Sequence, residues 1–316
     1  MLRVRTIGAA VLVVLFLLAA GYAWLVRMAD RSFERAIERA RAIEVEAIEI
    51  GEARDGIAEV RITGAGGERA IGLRREISPE DHLRLRVLLI GGIGTGENAA
   101  RLVVPFPGAE IYSFEYPLAA RLPRGDALSK AASIPSLIKG TAESLVSFGL
   151  AKRAIFSRGD GASNVLIGVS LGVPFAAALA SIGEKPDAVA LLYGGGDIGP
   201  IIARALPSGP FTLRALAGRT LGRLLARLDP ARTAGGIAPA PLLLVSAEDD
   251  PRIPAASVRA LHDAARDPKT VVLLGGGHVL PEKEALLEEL VREVVAWLRE
   301  LQLLQDVGEA APPAEG

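Results

Sequence analysis

The sequence contains no cysteine, only three histidines and 4% aromatic residues. Without cysteine there is no disulfide framework, no thiolate zinc site and no thiol nucleophile. A multi-histidine metal site would need His82, His262 and His278 in one place, and no H-E-x-x-H run occurs. Few aromatics leave little material for a carbohydrate-stacking platform. Neither charge sign is in excess: Lys+Arg is 36 and Asp+Glu is 37, a formal net charge of −1. Nucleic-acid binders carry a basic surplus, so no nucleic acid is expected as a partner. No Lys-Ser/Thr pair follows the glycine-rich stretches, which excludes a P-loop. The lack of cysteine leaves the compartment open.

What is present is apolar. Half of the 316 residues are hydrophobic, and the mean hydropathy is +0.33. Much of the excess sits in one run without a charge, Ile7 to Val26. A helix of that length spans ~30 Å, the thickness of a bilayer's hydrocarbon core. Tyr22 and Trp24 fall near its far end, where amphipathic rings favour the interface. The expected partner is therefore a membrane, through an uncleaved anchor at 7–26 behind a short basic tail at 1–6. A cleaved signal peptide is the alternative, with Arg3 and Arg5 as its basic region and Gly21-Tyr22-Ala23 as a weak cleavage site. The body is expected on the extracytoplasmic side, with the cytoplasm as the alternative. Arg27, Arg31, Arg35, Arg39 and Arg41 follow the run and would hold the body in the cytoplasm. Those residues alternate with Asp30, Glu34 and Glu38 in a helical pattern at 27–42. A short basic tail before an apolar run also begins export signals, which places the body outside the cytoplasm.

From residue 43 to 303 the pattern is that of one α/β domain, followed by a polar tail at 304–316. Phe33, Ala36, Ile37, Ala40 and Ile43 keep helical spacing. Strands are expected at Ile43–Ile50, Ile57–Thr63 and Arg69–Leu73, with Gly64-Ala65-Gly66-Gly67 turning the last two into a hairpin. Further strands are expected at Arg86–Ile90, Glu110–Phe114, Asn164–Ile167, Ala188–Tyr193, Leu242–Ser246 and Thr270–Leu274. Helical stretches alternate with them at Ser133–Phe148, Ala176–Ile182, Ile201–Leu228, Ala256–Ala265 and Glu282–Leu301. Such alternation predicts a mostly parallel twisted sheet covered by helices on both faces, with an antiparallel N-terminal hairpin.

Three motifs sit at strand ends. Gly168-Val169-Ser170-Leu171-Gly172 fits G-x-S-x-G, with a strand before it and a helical stretch after it. A nucleophile on a sharp strand-to-helix turn needs strained backbone and small neighbours. The helix start then aims N–H groups at a developing oxyanion. A glycine-rich turn with an incidental serine is the plain alternative. Ala247-Glu248-Asp249-Asp250-Pro251-Arg252-Ile253-Pro254 follows Leu242–Ser246, where an acid can orient a histidine. A solvated acidic turn is its plain reading. Gly275-Gly276-Gly277-His278-Val279 follows Thr270–Leu274. His262 reads as a surface helix residue and His82 as solvated.

The order Ser170, Asp250, His278, each at a strand end, resembles the α/β-hydrolase superfamily. The resemblance covers about Ile43 to Gln302. It includes the hairpin, the elbow, AEDDPRIP, the GGGH loop and the closing amphipathic helix. It implies acyl transfer with Ser170 as nucleophile, His278 as base and Asp250 as orienting acid. Asp249 is the runner-up acid and Asp197 a third. The oxyanion donors it implies are the backbone N–H groups of Leu171 and Ile93, the latter from Gly91-Gly92-Ile93-Gly94-Thr95-Gly96. Here Gly91 stands where the family often has His. No cofactor and no metal are implied. The resemblance also allows a helical lid within 198–235, where Ile201, Ile202, Leu206, Phe211, Leu213 and Leu216 are candidates to line an acyl pocket. The substrate expected is a small or acyl ester, with thioester, peptide or acyl-transfer chemistry as variants.

Two rivals remain at this stage. Gly94-x-Gly96-x-x-Ala99, with Glu115 further on, resembles a dinucleotide- or S-adenosyl-cofactor fingerprint. That reading leaves the three strand-end motifs unexplained. A non-catalytic binding protein on the same fold is the other, since fold does not guarantee chemistry. Nothing in the sequence speaks to oligomeric state.

Overall fold

The computed structural model describes residues 2–78, 80–92, 94–103, 108–117, 132–206 and 209–304. Side chains within the first helix are described from Leu15 onward.

Among the described residues nine strands form one sheet: β1 (Val45–Ile50), β2 (Ile57–Gly64), β3 (Arg69–Arg75), β4 (Leu85–Ile90), β5 (Ala109–Phe114), β6 (Ser163–Val169), β7 (Ala188–Leu192), β8 (Leu242–Ala247) and β9 (Lys269–Leu274). Their order is β1-β2-β3-β5-β4-β6-β7-β8-β9. The first three strands and the β3–β5 pair are antiparallel. All pairs from β5 through β4 to β9 are parallel. The antiparallel part is thus a meander of three strands rather than a lone hairpin. The β2–β3 turn closes where the glycines predict, with the Gly67 N–H donating to the Gly64 carbonyl.

The helices are α1 (Leu2–Ala42), α2 (Ala99–Leu102), α3 (Ile134–Phe156), α4 (Gly172–Leu179), α5 (Ile198–Ala205), α6 (Phe211–Leu224), α7 (Pro230–Thr233), α8 (Ala255–Ala264) and α9 (Glu284–Glu300). Strands buried on both faces send alternate residues to opposite cores. On β4, Leu88 and Ile90 join the core that includes α1, α3 and α4. Val87 and Leu89 join the one that includes α9.

The expected anchor and the helical stretch behind it are one continuous helix. Its C-terminal half docks on the body through Ala29, Phe33, Ala36 and Ala40. The helices α1 and α3 cross closely at Gly149, where a Cβ would lie 2.7 Å from the Ala40 Cβ. Burying Phe33 contributes roughly 2 kcal/mol. Arg223 on α6 pairs with Asp30 at 3.3 Å, and Arg227 pairs with Glu34. N-terminal to this docked half, Leu15 to Leu18 are exposed. Among the described residues, no helix is long and apolar enough to cross a membrane. The side chains of residues 7–14 of the expected anchor lie outside the described set, as does the tail from 305 onward.

Candidate functional site

Parallel strands leave their carboxyl ends at one edge of the sheet, and the loops there converge. The three motifs meet at that edge.

Ser170 follows β6 with φ +53°, in the left-handed region. For a non-glycine residue that conformation costs roughly 1–2 kcal/mol. Its backbone is held by an N–H bond to the Leu192 carbonyl at 2.9 Å. The flanking glycines are required by close approach. A Cβ on Gly168 would lie 2.6 Å from the Ala176 Cβ, and one on Gly172 only 1.9 Å from the Ile90 carbonyl oxygen. The helix α4 starts immediately after, with Leu171 as its N-terminal cap residue. The Leu171 N–H therefore belongs to the positive end of that helix.

His278 is 2% exposed. Its loop reaches it through Gly276 and Gly277 at φ +84° and +69°, a path that favours glycine. The Ser170 Oγ lies 2.9 Å from His278 Nε2. On the other side of the ring, Nδ1 lies 2.7 Å from the Asp250 Oδ2. The second oxygen, Oδ1, accepts the backbone N–H groups of Arg252 at 2.7 Å and Ile253 at 3.0 Å. Burial works to raise the Asp250 pKa. The His278 contact and the two backbone donors outweigh it, so the carboxyl is held below its ordinary value.

Asp249, the runner-up acid, points elsewhere: its Oδ1 accepts the Gly277 N–H at 2.9 Å and so braces the histidine loop. Asp197 stands at the start of α5 without a side-chain capping bond, and its backbone N–H donates to Asp229 Oδ1 at 2.8 Å. His82 is exposed, as expected. His262 is half-buried rather than on the surface, because α8 turns it toward β8, where its Nε2 lies 3.3 Å from the Ser246 Oγ.

The loop after β4 lies against the serine. A Cβ on Gly92 would stand 3.4 Å from the Ser170 Cβ. Tyr116 holds the loop by donating its hydroxyl to the Gly91 carbonyl at 2.6 Å. Ile93, the second expected oxyanion donor, lies outside the described residues. The cofactor-fingerprint reading fails here. A pyrophosphate needs the N-terminus of a substantial helix, and this loop leads only into a 3-10 turn at Gly96–Asn98 and the four-residue α2.

Ser170 and His278 open onto an apolar cavity of about 120 Å³. It runs between the sheet and α9, past Leu89, Ile167, Val169, Leu287 and Leu290. None of the six apolar residues singled out between 201 and 216 lines it. Phe211, Leu213 and Leu216 are exposed, because α5 and α6 pack mainly on each other at Gly199, Gly218 and Gly222.

One residue at the site carried no sequence signal. Tyr193, one position beyond β7, has φ +55°. Its ring meets the His278 ring edge-on at 5.9 Å between centroids. Its hydroxyl is buried without a hydrogen-bond partner among the described residues. Burial, with Glu289, Asp250 and Asp249 nearby, pushes its pKa up to about 12.

No protein-family model matches the sequence, and comparison with curated proteins finds no match. Solved structures do match. An acetyl xylan esterase from Paenibacillus sp. R4 superposes with a TM-score of 0.56 at 18% identity, over 85% of this chain and 94% of that one. Acetyl xylan esterase 1 from Thermoanaerobacterium sp. gives 0.54 at 13% identity, over 84% and 93%. The esterase domain of a Rhodothermus marinus protein gives 0.53 at 18% identity, over 77% and 98%. With its sheet order and its strand-to-helix elbow, the chain has the fold of the α/β-hydrolase superfamily.

Proposed function

We propose that this protein is a serine-dependent carboxylic-ester hydrolase working through an acyl-enzyme. The observation that carries the reading is the line Ser170 Oγ, His278 Nε2 at 2.9 Å, His278 Nδ1, Asp250 Oδ2 at 2.7 Å, placed at the mouth of an apolar cavity. The esterase neighbours support it through their fold.

In this scheme the Ser170 Oγ attacks the ester carbonyl carbon while its proton passes to His278 Nε2. The carbonyl oxygen becomes an oxyanion that accepts the Leu171 N–H, with a second donor assigned to the loop at 91–96. Collapse re-forms the carbonyl and breaks the bond to the alcohol oxygen, which leaves with the proton from Nε2. A water then repeats the sequence on the acyl-enzyme and releases the acid. Asp250 holds the imidazole with Nε2 facing the serine and stabilises the cation formed at each transfer. One oxyanion donor is typically worth ~3 kcal/mol in the transition state.

A fluorophosphonate probe tests this directly. Labelling of the wild type and of Ser163→Ala, with loss in Ser170→Ala, is the expected result. A folded protein that takes no label would reduce the chain to a binding protein on a hydrolase fold.

We also propose that residues 7–26 hold the domain at a membrane. The reading rests on an uncharged apolar run of twenty residues, with Leu15 to Leu18 and Trp24 exposed on the helix that leads into the body. Because that helix continues into the docked segment, such an anchor would be rigidly joined to the domain. Retention of the full chain in carbonate-washed membranes, and release on deleting 2–26, is the expected outcome; full recovery in the soluble fraction would overturn it.

A further inference from the structure

We propose that the acyl half of the ester is a medium-length alkyl chain, laid between the sheet and α9 rather than beneath the helices at 198–224. This rests on the hydrolase reading above and names its substrate class.

The cavity has a definite grain. Its sheet wall is built from residues two apart, Val87 and Leu89 on β4 and Ile167 and Val169 on β6. Alternate strand residues share a face, so these side chains stand in rows running away from Ser170. The opposite wall uses Leu287, Leu290, Val291 and Val294, the i, i+3, i+4, i+7 stripe of one helix face. The helix α9 begins just after the His278 loop, at the carboxyl edge of the sheet. It therefore runs back along the strands, with Leu287 near the reacting atoms and Val294 at the far end.

The two walls agree in length. From Gly91, level with the nucleophile, to Val87 is four residues of strand, ~13 Å. From Leu287 to Val294 is seven residues of helix, ~10 Å. Beyond Ser170, His278, the exposed Arg252 and Thr95, whose hydroxyl donates to the Gly92 carbonyl at 3.0 Å, the lining holds no charged or hydrogen-bonding side chain. A polar or sugar-bearing acyl group would lose its hydration there without replacement. An unbranched hydrocarbon loses nothing, and its length is limited by the far end of the trough.

The test is a series of p-nitrophenyl esters: acetate, butyrate, octanoate, decanoate and palmitate. For the full-length protein, kcat/KM should rise roughly fourfold per added methylene, peak at octanoate or decanoate and fall at palmitate. Val294→Phe should shorten the trough and move the peak to butyrate. Val294→Ala, a safer substitution for folding, should move it toward the longer esters. Turnover of acetate with no gain for longer chains would overturn the proposal and leave the hydrolase reading intact. So would a peak that neither Val294 variant moves. Failure to turn over any ester, together with no fluorophosphonate labelling of Ser170, would overturn both.

Discussion

His278 presents Nδ1 to the Asp250 Oδ2 at 2.7 Å, and Asp250 is itself fixed through its other oxygen by the N–H groups of Arg252 and Ile253. The carboxylate is therefore fixed on its far side while it holds the imidazole. A carboxylate bound on both oxygens cannot swing to a second partner without breaking three contacts.

Replacing Asp250 separates it from its neighbour. In the proposed mechanism, Asp250→Asn should lower kcat by about 10³- to 10⁴-fold, because the amide favours the wrong histidine tautomer. Asp249→Asn keeps an oxygen for the Gly277 N–H and should stay within about tenfold of wild type, as a loop-positioning change. Stability carries a second signature. The Asp250 carboxyl is held below its ordinary value, so its contribution is present above the unfolded carboxyl range and is lost as the pH falls through the folded value. Urea unfolding at neutral pH and at about pH 3 should show a shallower acid loss in Asp250→Asn than in wild type.

Gly172 is the tightest point of the elbow. A Cβ 1.9 Å from the Ile90 carbonyl oxygen cannot be absorbed by a side-chain rotation, because the obstacle is backbone. Gly172→Ala should cost about 2 kcal/mol or more, or abolish soluble expression. Gly159→Ala meets nothing within 4 Å and should fall within about 0.5 kcal/mol of wild type. Chemical denaturation of the pair checks both statements.

Tyr193 offers a substitution that removes only an unpaired group. Its hydroxyl is buried with no partner among the described residues, while its ring edge packs on His278. Tyr193→Phe should gain about 1 kcal/mol and keep activity within about twofold. Tyr193→Ala should instead lower kcat more than it changes KM, because the imidazole loses a wall. A loss of stability in Tyr193→Phe would mean that the hydroxyl has a partner.

Lys152 predicts an alkaline effect far from the site. Its Nζ is buried and donates to the Leu179 carbonyl at 2.7 Å and to the Ile182 carbonyl, beyond the end of α4. Burial pushes its pKa down to about 7. In the unfolded chain a lysine stays protonated to about pH 10. Between those values the unfolded state binds more protons, so this residue makes stability rise with pH across that window. Lys152→Met should lack that rise. Urea unfolding of both proteins at about pH 7 and pH 9.5 measures the difference, expected to be about 1 kcal/mol or more.

Much of the fold was legible because local rules agreed. Short apolar runs bounded by glycine and polar turns became β4, β6, β7 and β8 within a residue or two. The helix α3 extended past its expected end to Phe156 because Leu150, Ala151, Ala154 and Ile155 remain buried against the sheet. The elbow was readable since the close approaches at positions 168 and 172 leave room only for glycine, and those glycines are visible as letters. The cavity was not. In strands buried on both faces, the residues facing α9 and those facing α3 are equally apolar, so Val87 and Leu88 look alike until the sheet is assembled. The apolar residues at 201–216 misled for a related reason: helical periodicity marks a face without saying what it meets.

The sequence by itself determined the strand-end positions of Ser170 and His278, because glycine spacing and strand punctuation are local properties of the chain. Only the tertiary structure decided that Asp250, and not the adjacent Asp249, meets the imidazole. Successive side chains in one loop point different ways, and the loop's course depends on backbone bonds to residues far along the chain. It alone also decided where the trough runs, because that space is enclosed by residues from several strands and the last helix, and no segment contains it.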